Sequence, residues 1–409
     1  MKHYDELETR APGRRETDLF DRLPAQIAHA QANAPFFGGL LAGVDAREVS
    51  SRGALAALPV TRKSELVERQ RAHRPFGGLN ATPAARLARI FMSPGPIYDP
   101  EGREPDYWGT ARALFAAGFR PGDVGLNCFS YHFSPAASMF ETGMHHLGCA
   151  VIPGGTGQTE MQVKAIHDLE PVGYVGTPSF LKIILEKADE LQTPCTSLER
   201  AMVSGEAFMP PVKQFLAQRG IAAYQAYGTA DLGVIAYESD GREGLVVNED
   251  LILEIVRPGT GDPVPDGDVG EVVVTTLRRD YPLVRFATGD LSAVMPGTSP
   301  CGRTNTRIRG WMGRADQATK VRGLFVHPHQ VAEVLRRHGL ARGRLVVVNE
   351  AGEDRMTLRI EREGGSDAEM AARVAATLRD VAKLRGEVRF EAPGSLPNDG
   401  KVIEDARTY

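Results

Sequence analysis

The hydrophobic periodicity changes several times along the chain, and each change marks a new kind of element. In the first 75 residues Leu19, Leu23 and Ile27 recur every four positions, which lines one face of an α-helix, and Pro24 sits inside that pattern as a kink or a start. This segment reads as helices broken by loops, packed on something larger. From Gly118 to Phe180, short apolar stretches at 151–152 and 172–175 alternate with helical patterns at 136–147 and 160–169. That alternation predicts parallel strands joined by crossover helices.

Between Gly244 and Asp290 the texture becomes strand-like at 245–247, 251–256, 271–276 and 282–286, with turns such as Pro265-Asp266-Gly267-Asp268. Antiparallel β structure is expected there. The pattern shifts again near Gly313-Arg314-Ala315-Asp316. Beyond it, Pro328 suits a first helical turn, Val331, Val334 and Leu335 share a face, and Gly339 closes the helix. Strand-like runs follow at 344–349 and 356–361. Ser366-Asp367-Ala368-Glu369 then reads as a capping box for a helix reaching about Lys383, with Gly386 past its end. The last part of the chain is thus a compact α+β unit.

A length of 409 residues exceeds one ordinary core, and the pattern divides it into two domains, 1–313 and 314–409. Hydrophobic residues at 42% and charged residues at 24% are globular values. Apolar runs such as 345–348 are too short to cross a bilayer, and the start, Met1-Lys2-His3-Tyr4-Asp5-Glu6-Leu7, has no apolar secretory segment, so no membrane partner and a cytoplasmic location are expected. A net charge of −4 without runs of one sign argues against nucleic acid and leaves small molecules as partners. Cys128, Cys149, Cys195 and Cys301 lie too far apart for a zinc knuckle or redox pair and read as buried free thiols. The signatures of P-loop, zincin and serine-hydrolase enzymes are missing.

Four small clusters carry candidate chemistry, and each by itself is also what an ordinary polar loop supplies. Tyr227-Gly228-Thr229-Ala230-Asp231 follows the strand-like 221–224. Its glycine lets backbone approach a ligand, while the hydroxyl and carboxylate suit a phosphate oxygen and a magnesium ion. Asp290, in Thr288-Gly289-Asp290, ends a strand with a carboxylate able to accept from both hydroxyls of a ribose. Gly313-Arg314-Ala315-Asp316 with Val321-Arg322-Gly323 has the composition of a hinge or of a solvated linker. Lys401, after Asp399-Gly400, is a lone lysine on a glycine-flexible loop.

Their order and separation resemble the adenylate-forming enzymes, specifically the phenylacetate–CoA ligase branch. Tyr4-Asp5-Glu6-Leu7-Glu8-Thr9-Arg10, Leu23-Pro24-Ala25-Gln26-Ile27-Ala28-His29-Ala30, Leu58-Pro59-Val60-Thr61-Arg62-Lys63-Ser64 and Gly157-Gln158-Thr159-Glu160-Met161-Gln162 carry the resemblance almost end to end. It implies a large N-terminal adenylate-forming α/β domain of mixed sheets with helices and a small mobile α+β C-terminal domain. The implied reaction makes an acyl-adenylate from an aromatic acid and ATP, then a thioester with CoA, using ATP/AMP, Mg²⁺ and CoA; a homodimer is the assembly it favours. By position, Asp290 resembles the ribose-binding aspartate, Arg314 the arginine near the nucleotide, Asp316 the hinge residue, and Lys401 the lysine that meets the carboxylate and α-phosphate during adenylation. Ser204-Gly205-Glu206 resembles the segment lining adenine, and Tyr227-Gly228 the strip beneath it. Tyr131-His132-Phe133 falls on the aromatic substrate-pocket segment, with core packing as the competing role of Phe133.

The departures concentrate at the phosphate end. The family's Ser-Ser-Gly-Thr-Thr-Gly-Lys-Pro loop falls, ungapped, on residues 93–100, where Ser93, Gly95 and Pro100 survive while Pro94 and Pro96 remove N–H donors and Asp99 replaces a lysine. With Glu101 and Glu104 following, the segment is expected to repel polyphosphate, and weak use of ATP is predicted. The hydroxyl–glutamate pair after Tyr-Gly-x is Ala230-Asp231, leaving Asp231 as the magnesium candidate. Ser239, Val246 and Ser299-Pro300-Cys301 stand at the zinc positions of some members, and no zinc is expected from one thiol. An aryl- or arylacetyl-CoA ligase is the leading reading. A non-catalytic adenylate- or CoA-binding regulator, or an ATP-independent acyl transferase or hydrolase, competes with it.

Overall fold

A computed structural model describes residues 2–93, 96–317, 319–322, 324–350, 353–364, 367–397 and 401–407. The chain divides into two compact units, one of Met1–Thr288 with Ser292–Trp311, the other of Gly289–Leu291 with Met312–Tyr409.

In the larger unit the first long helix, Pro12–Asn33, runs straight through Pro24. A proline inside a helix costs about 3 kcal/mol. Here Leu23 and Ile27 are completely buried on the same stripe, and full burial of such side chains is worth roughly 1.5–3 kcal/mol each. Packing therefore outweighs the break that sequence allows at this position.

The alternation expected at 118–180 is seen as part of a parallel arrangement that runs on to residue 229. Among the described residues nine strands join, in the order Val294–Met295, Arg307–Ile308, Leu245–Val247, Gly233–Tyr237, Ala222–Thr229, Arg200–Val203, Gly173–Gly176, Val124–Asn127, Ala150–Ile152. The pairs from Ala150–Ile152 to Ala222–Thr229 are parallel. Helices Ala136–Leu147, Thr159–Leu169, Pro178–Glu190 and Pro210–Gln218 supply the crossovers. Chain direction reverses between Ala222–Thr229 and Gly233–Tyr237, so residues 230–232 form a tight corner at the end of a central strand.

A second sheet holds Thr61–Arg62, Phe286–Ser292, Gly270–Thr276 and Leu251–Val256 in that order. The expected antiparallel pairing is seen, with Leu251 opposite Thr276 and Val256 opposite Glu271. The strand expected at 282–286 begins instead at Phe286. Pro282 has no N–H for a ladder, and Arg285 turns away from extended geometry at φ 45°. Its buried guanidinium bonds Glu254 and the carbonyls of Ala56, Leu58 and Gly261.

The smaller unit pairs Glu387–Glu391, Glu353–Glu361, Arg342–Glu350 and Ile403–Asp405 in one sheet. Val331 and Val334 of helix Pro328–Arg337, with Val374 and Leu378 of helix Ala368–Ala382, pack on Leu345, Val347, Leu358 and Ile360. The second helix is capped by Asp367, whose carboxylate accepts from the Met370 N–H. Ser366, the expected cap, lies outside the described residues. The helix ends on Lys383 in the left-handed region at φ 57° and does not wait for Gly386.

Candidate nucleotide and acyl site

The segment expected to be an eight-residue phosphate loop is mostly strand. Arg89–Ser93 and Ile97–Glu101 form an antiparallel hairpin with Ser93 opposite Ile97, so residues 97–100 of the expected loop lie in a strand. Gly95 and Pro94 lie outside the described residues. The hairpin is clamped from outside by Gln70, which bonds both the N–H and the carbonyl of Tyr98 at 2.8 and 2.9 Å.

Strand alternation then decides where the charges go. Tyr98 points to solvent, while Ile97, Asp99 and Glu101 point inward and are buried. Glu101, expected to repel phosphate, is instead a structural acid: it accepts from Trp108 Nε1 at 2.9 Å, Ser138 Oγ at 2.6 Å and the Arg89 guanidinium at 2.5 Å. Asp99 is buried to 0% exposure, and neither of its oxygens has a formed hydrogen bond. Burial first, and then the negative charge of Asp231, push its carboxyl far above the usual carboxylate range. Asp231 sits in the corner after strand Ala222–Thr229, and its Oδ2 lies 2.5 Å from Lys63 Nζ while its Oδ1 has no partner. Lys63, Asp99 and Asp231, from three distant parts of the sequence, thus form one cluster.

The neighbouring strip is governed by backbone. The pairing of strand 222–229 shifts at Tyr227/Gly228. A Cβ on Gly228 would meet the Gly233 carbonyl oxygen at 2.4 Å, so only glycine fits. Thr229 Oγ1 accepts from the Leu232 N–H at 3.2 Å, and the Tyr227 hydroxyl donates to Thr288 at 3.4 Å. One strand over, Ser204 Oγ donates to the Ala226 carbonyl at 2.8 Å, Gly205 turns at φ 84°, and Glu206 accepts from Ser179 N at the start of helix Pro178–Glu190. Ser204, Gly205, Tyr227, Gly228, Thr229 and Asp231 therefore occupy the ends of two adjacent strands.

The aromatic segment joins the hairpin directly, since the Met92 N–H donates to the Phe133 carbonyl at 3.0 Å. Phe133 is 59% exposed at φ 60°, which excludes core packing. His132 stands edge-on to it at 4.8 Å, and the Tyr131 hydroxyl donates to Glu141 at 2.6 Å. Burial and that bond both push the Tyr131 phenol upward.

In the smaller unit Arg314 Nη1 lies 3.0 Å from Asp290 Oδ1, and the two residues also form a backbone bridge. The backbone of Asp316 lies in the short helix Ala315–Gln317, whose Gln317 side chain accepts from the Val402 N–H next to Lys401. Lys401 is exposed, and 398–400 before it lie outside the described residues.

Residues 107–277 match the sequence profile of AMP-binding enzymes. A phenylacetate–coenzyme A ligase of Thermus thermophilus is 33% identical over 352 residues, 82% of this chain and 78% of that one. A phenylacetate–coenzyme A ligase of Escherichia coli is 30% identical over 97% of this chain and 96% of that one. The chain belongs to the phenylacetate–CoA ligase family. Among solved structures, an open conformation of 2-hydroxyisobutyryl-CoA ligase in complex with 2-HIB-AMP and CoA covers 99% of this chain and 95% of its own, with a TM-score of 0.85 at 24% identity, a likeness of fold. The members of this family join acids to coenzyme A, and the mixed α/β fold with a smaller C-terminal unit is theirs.

Within that family Lys63 and the inward turn of Asp99 were not legible as site features. Lys63 sits in a stretch, Leu58 to Ser64, that carries the family likeness without an assigned role. The signal for Asp99 was the i, i+2, i+4 run Ile97, Asp99, Glu101, which reads as a strand face once the segment is not taken as a loop. Elsewhere in the larger unit, the Ser239 and Ser299 hydroxyls and the Arg303 guanidinium surround Cys301 Sγ at 3.2, 3.1 and 3.4 Å. Burial pushes that thiol up, but the hydroxyl bonds outweigh it and hold it down at about 7.

Proposed function

We propose that the chain forms the thioester of an aryl or arylacetyl acid with CoA by way of an acyl-adenylate. The observation that carries the reading is the hydrogen bond tying the exposed 131–133 aromatic segment to the hairpin, beside a backbone strip that tolerates no side chain at 228. This supports a flat aromatic acyl group lying next to a flat base. In this reading Ser204, Gly205, Glu206, Tyr227, Gly228 and Thr229 border the nucleotide in the larger unit. In the smaller unit Asp290 holds the ribose with Arg314 beside it, Asp316 is the hinge, and Lys401 stabilises charge at the α-phosphate. The domains follow as 1–313 and 314–409, with a homodimer and a cytoplasmic setting as part of the same proposal.

Thermal unfolding with AMP, CoA and arylacetic acids tests it, because a ligand that binds only the folded state raises the melting temperature. AMP and CoA are each expected to raise it, and Asp290→Ala to remove the AMP effect. Lys401→Ala is expected to lower adenylate formation from acid and ATP while sparing thioester formation from a supplied adenylate. No shift with either AMP or CoA rejects the reading.

A further inference from the structure

Resting on that ligase reading, we propose that the preferred substrate is a preformed acyl-adenylate, because the end of the site that would take magnesium and the outgoing pyrophosphate is closed by the protein's own groups. The sequence departs from the family's phosphate loop at this end, at Pro94, Pro96 and Asp99. An eight-residue loop offers a row of backbone N–H groups to phosphate oxygens. Here residues 97–101 spend their backbone on the hairpin, Ser93 is paired with Ile97, and Pro96 has no N–H to give.

The magnesium expected at Asp231 does not fit the residues present. Mg²⁺ keeps several waters and is held by one or two carboxylates together with substrate phosphates. The Asp231 side chain is 0% exposed, and one of its oxygens already bears the Lys63 ammonium at 2.5 Å. Asp99, at 0% exposure, closes the other side. Neither acid leaves room for a hydrated ion, the neighbouring position 230 is an alanine, and among the described residues no group of three or more His, Cys, Asp or Glu could hold a metal. Lys63 thus supplies one positive charge in place of two, and it is already committed to a buried carboxylate.

Transfer from an adenylate needs neither the loop nor the metal. The CoA sulfur forms a C–S bond to the acyl carbon, the C–O bond of the mixed anhydride breaks, AMP leaves with the electron pair, and the thiol proton passes to solvent. No other reactant is required. The chain then stands downstream of a separate ATP-consuming adenylation.

The test compares two routes in the full chain: phenylacetyl-AMP with CoA, and phenylacetate with ATP, Mg²⁺ and CoA, both read as phenylacetyl-CoA. A phosphate end filled by buried Asp99 and by the paired Lys63 and Asp231 predicts that the first route exceeds the second by at least about a hundredfold. A binding readout accompanies it: wild type is expected to bind no Mn²⁺ by titration calorimetry, and Lys63→Ala to gain Mn²⁺ binding. Comparable rates by both routes, or a faster ATP route, overturn the inference and leave the ligase reading standing, as does Mn²⁺ binding by wild type. Failure of both routes rejects the ligase reading itself.

Discussion

Two acids stand two residues apart on strand Ile97–Glu101, both facing inward, and the protein treats them in opposite ways. Around Glu101, an indole N–H, a hydroxyl and a guanidinium converge on the carboxylate, so its burial is compensated. Around Asp99 there is a second acid and no formed hydrogen bond. A buried charge with partners belongs to the scaffold; a buried acid without them is a cost that folding alone does not explain. The difference teaches that charge near a site has to be sorted by partner, since sequence alone set both acids against phosphate.

The sharpest way to break the comparison is Glu101→Ala. It strands the Trp108 indole and the Ser138 hydroxyl in the core, and a loss of about 3 kcal/mol is expected in denaturant unfolding. A loss below about 1 kcal/mol would show that Glu101 is not structural.

Asp99→Asn should act in the other direction. Because the Asp99 carboxyl is held well above its ordinary value, the folded state binds a proton that the unfolded chain releases. Its favourable contribution is therefore complete below the ordinary carboxylate pKa and is lost as pH rises through the raised one. The variant should match wild type near pH 4 and exceed it by on the order of 1 kcal/mol at pH 8 in chemical denaturation. Equal pH dependence in the two proteins would contradict the assignment.

Tyr131→Phe probes the open side of the hairpin and should do least. The half-exposed bond to Glu141 is worth about 1 kcal/mol or less, so the melting temperature should barely move while KM for the acyl group changes more than kcat. A kcat loss without a change in KM would take Tyr131 out of the pocket.

The same contrast explains what could be read beforehand. The parallel and antiparallel halves and the small α+β unit follow from periodicity, because burial of one face imposes it on the sequence. The Tyr227–Asp231 cluster was visible because a strand end followed by a glycine is a local feature. The hairpin at 89–101 was not visible. Its register depends on Gln70 and on the buried partners of Glu101, which lie far off in sequence, and an ungapped match to a loop hid the strand. The boundary near 282–286 moved for a similar reason, since the geometry of Arg285 is fixed by Glu254 and three distant carbonyls.

The corner that holds Cys301 has a use outside catalysis. Cys128 is pushed up to about 12 and Cys149 to about 11, so at neutral pH both are protonated thiols. Cys301, held at about 7, is the nucleophile among the three, yet it is shielded at 4% exposure. An alkylating reagent can reach it only when the segment around Ser299 and Arg303 swings away from Glu8 and Ser239. The rate at which the intact protein takes up label at Cys301, read apart from the partly exposed Cys195, thus becomes a clock for the breathing of that corner, without any ligand or substrate.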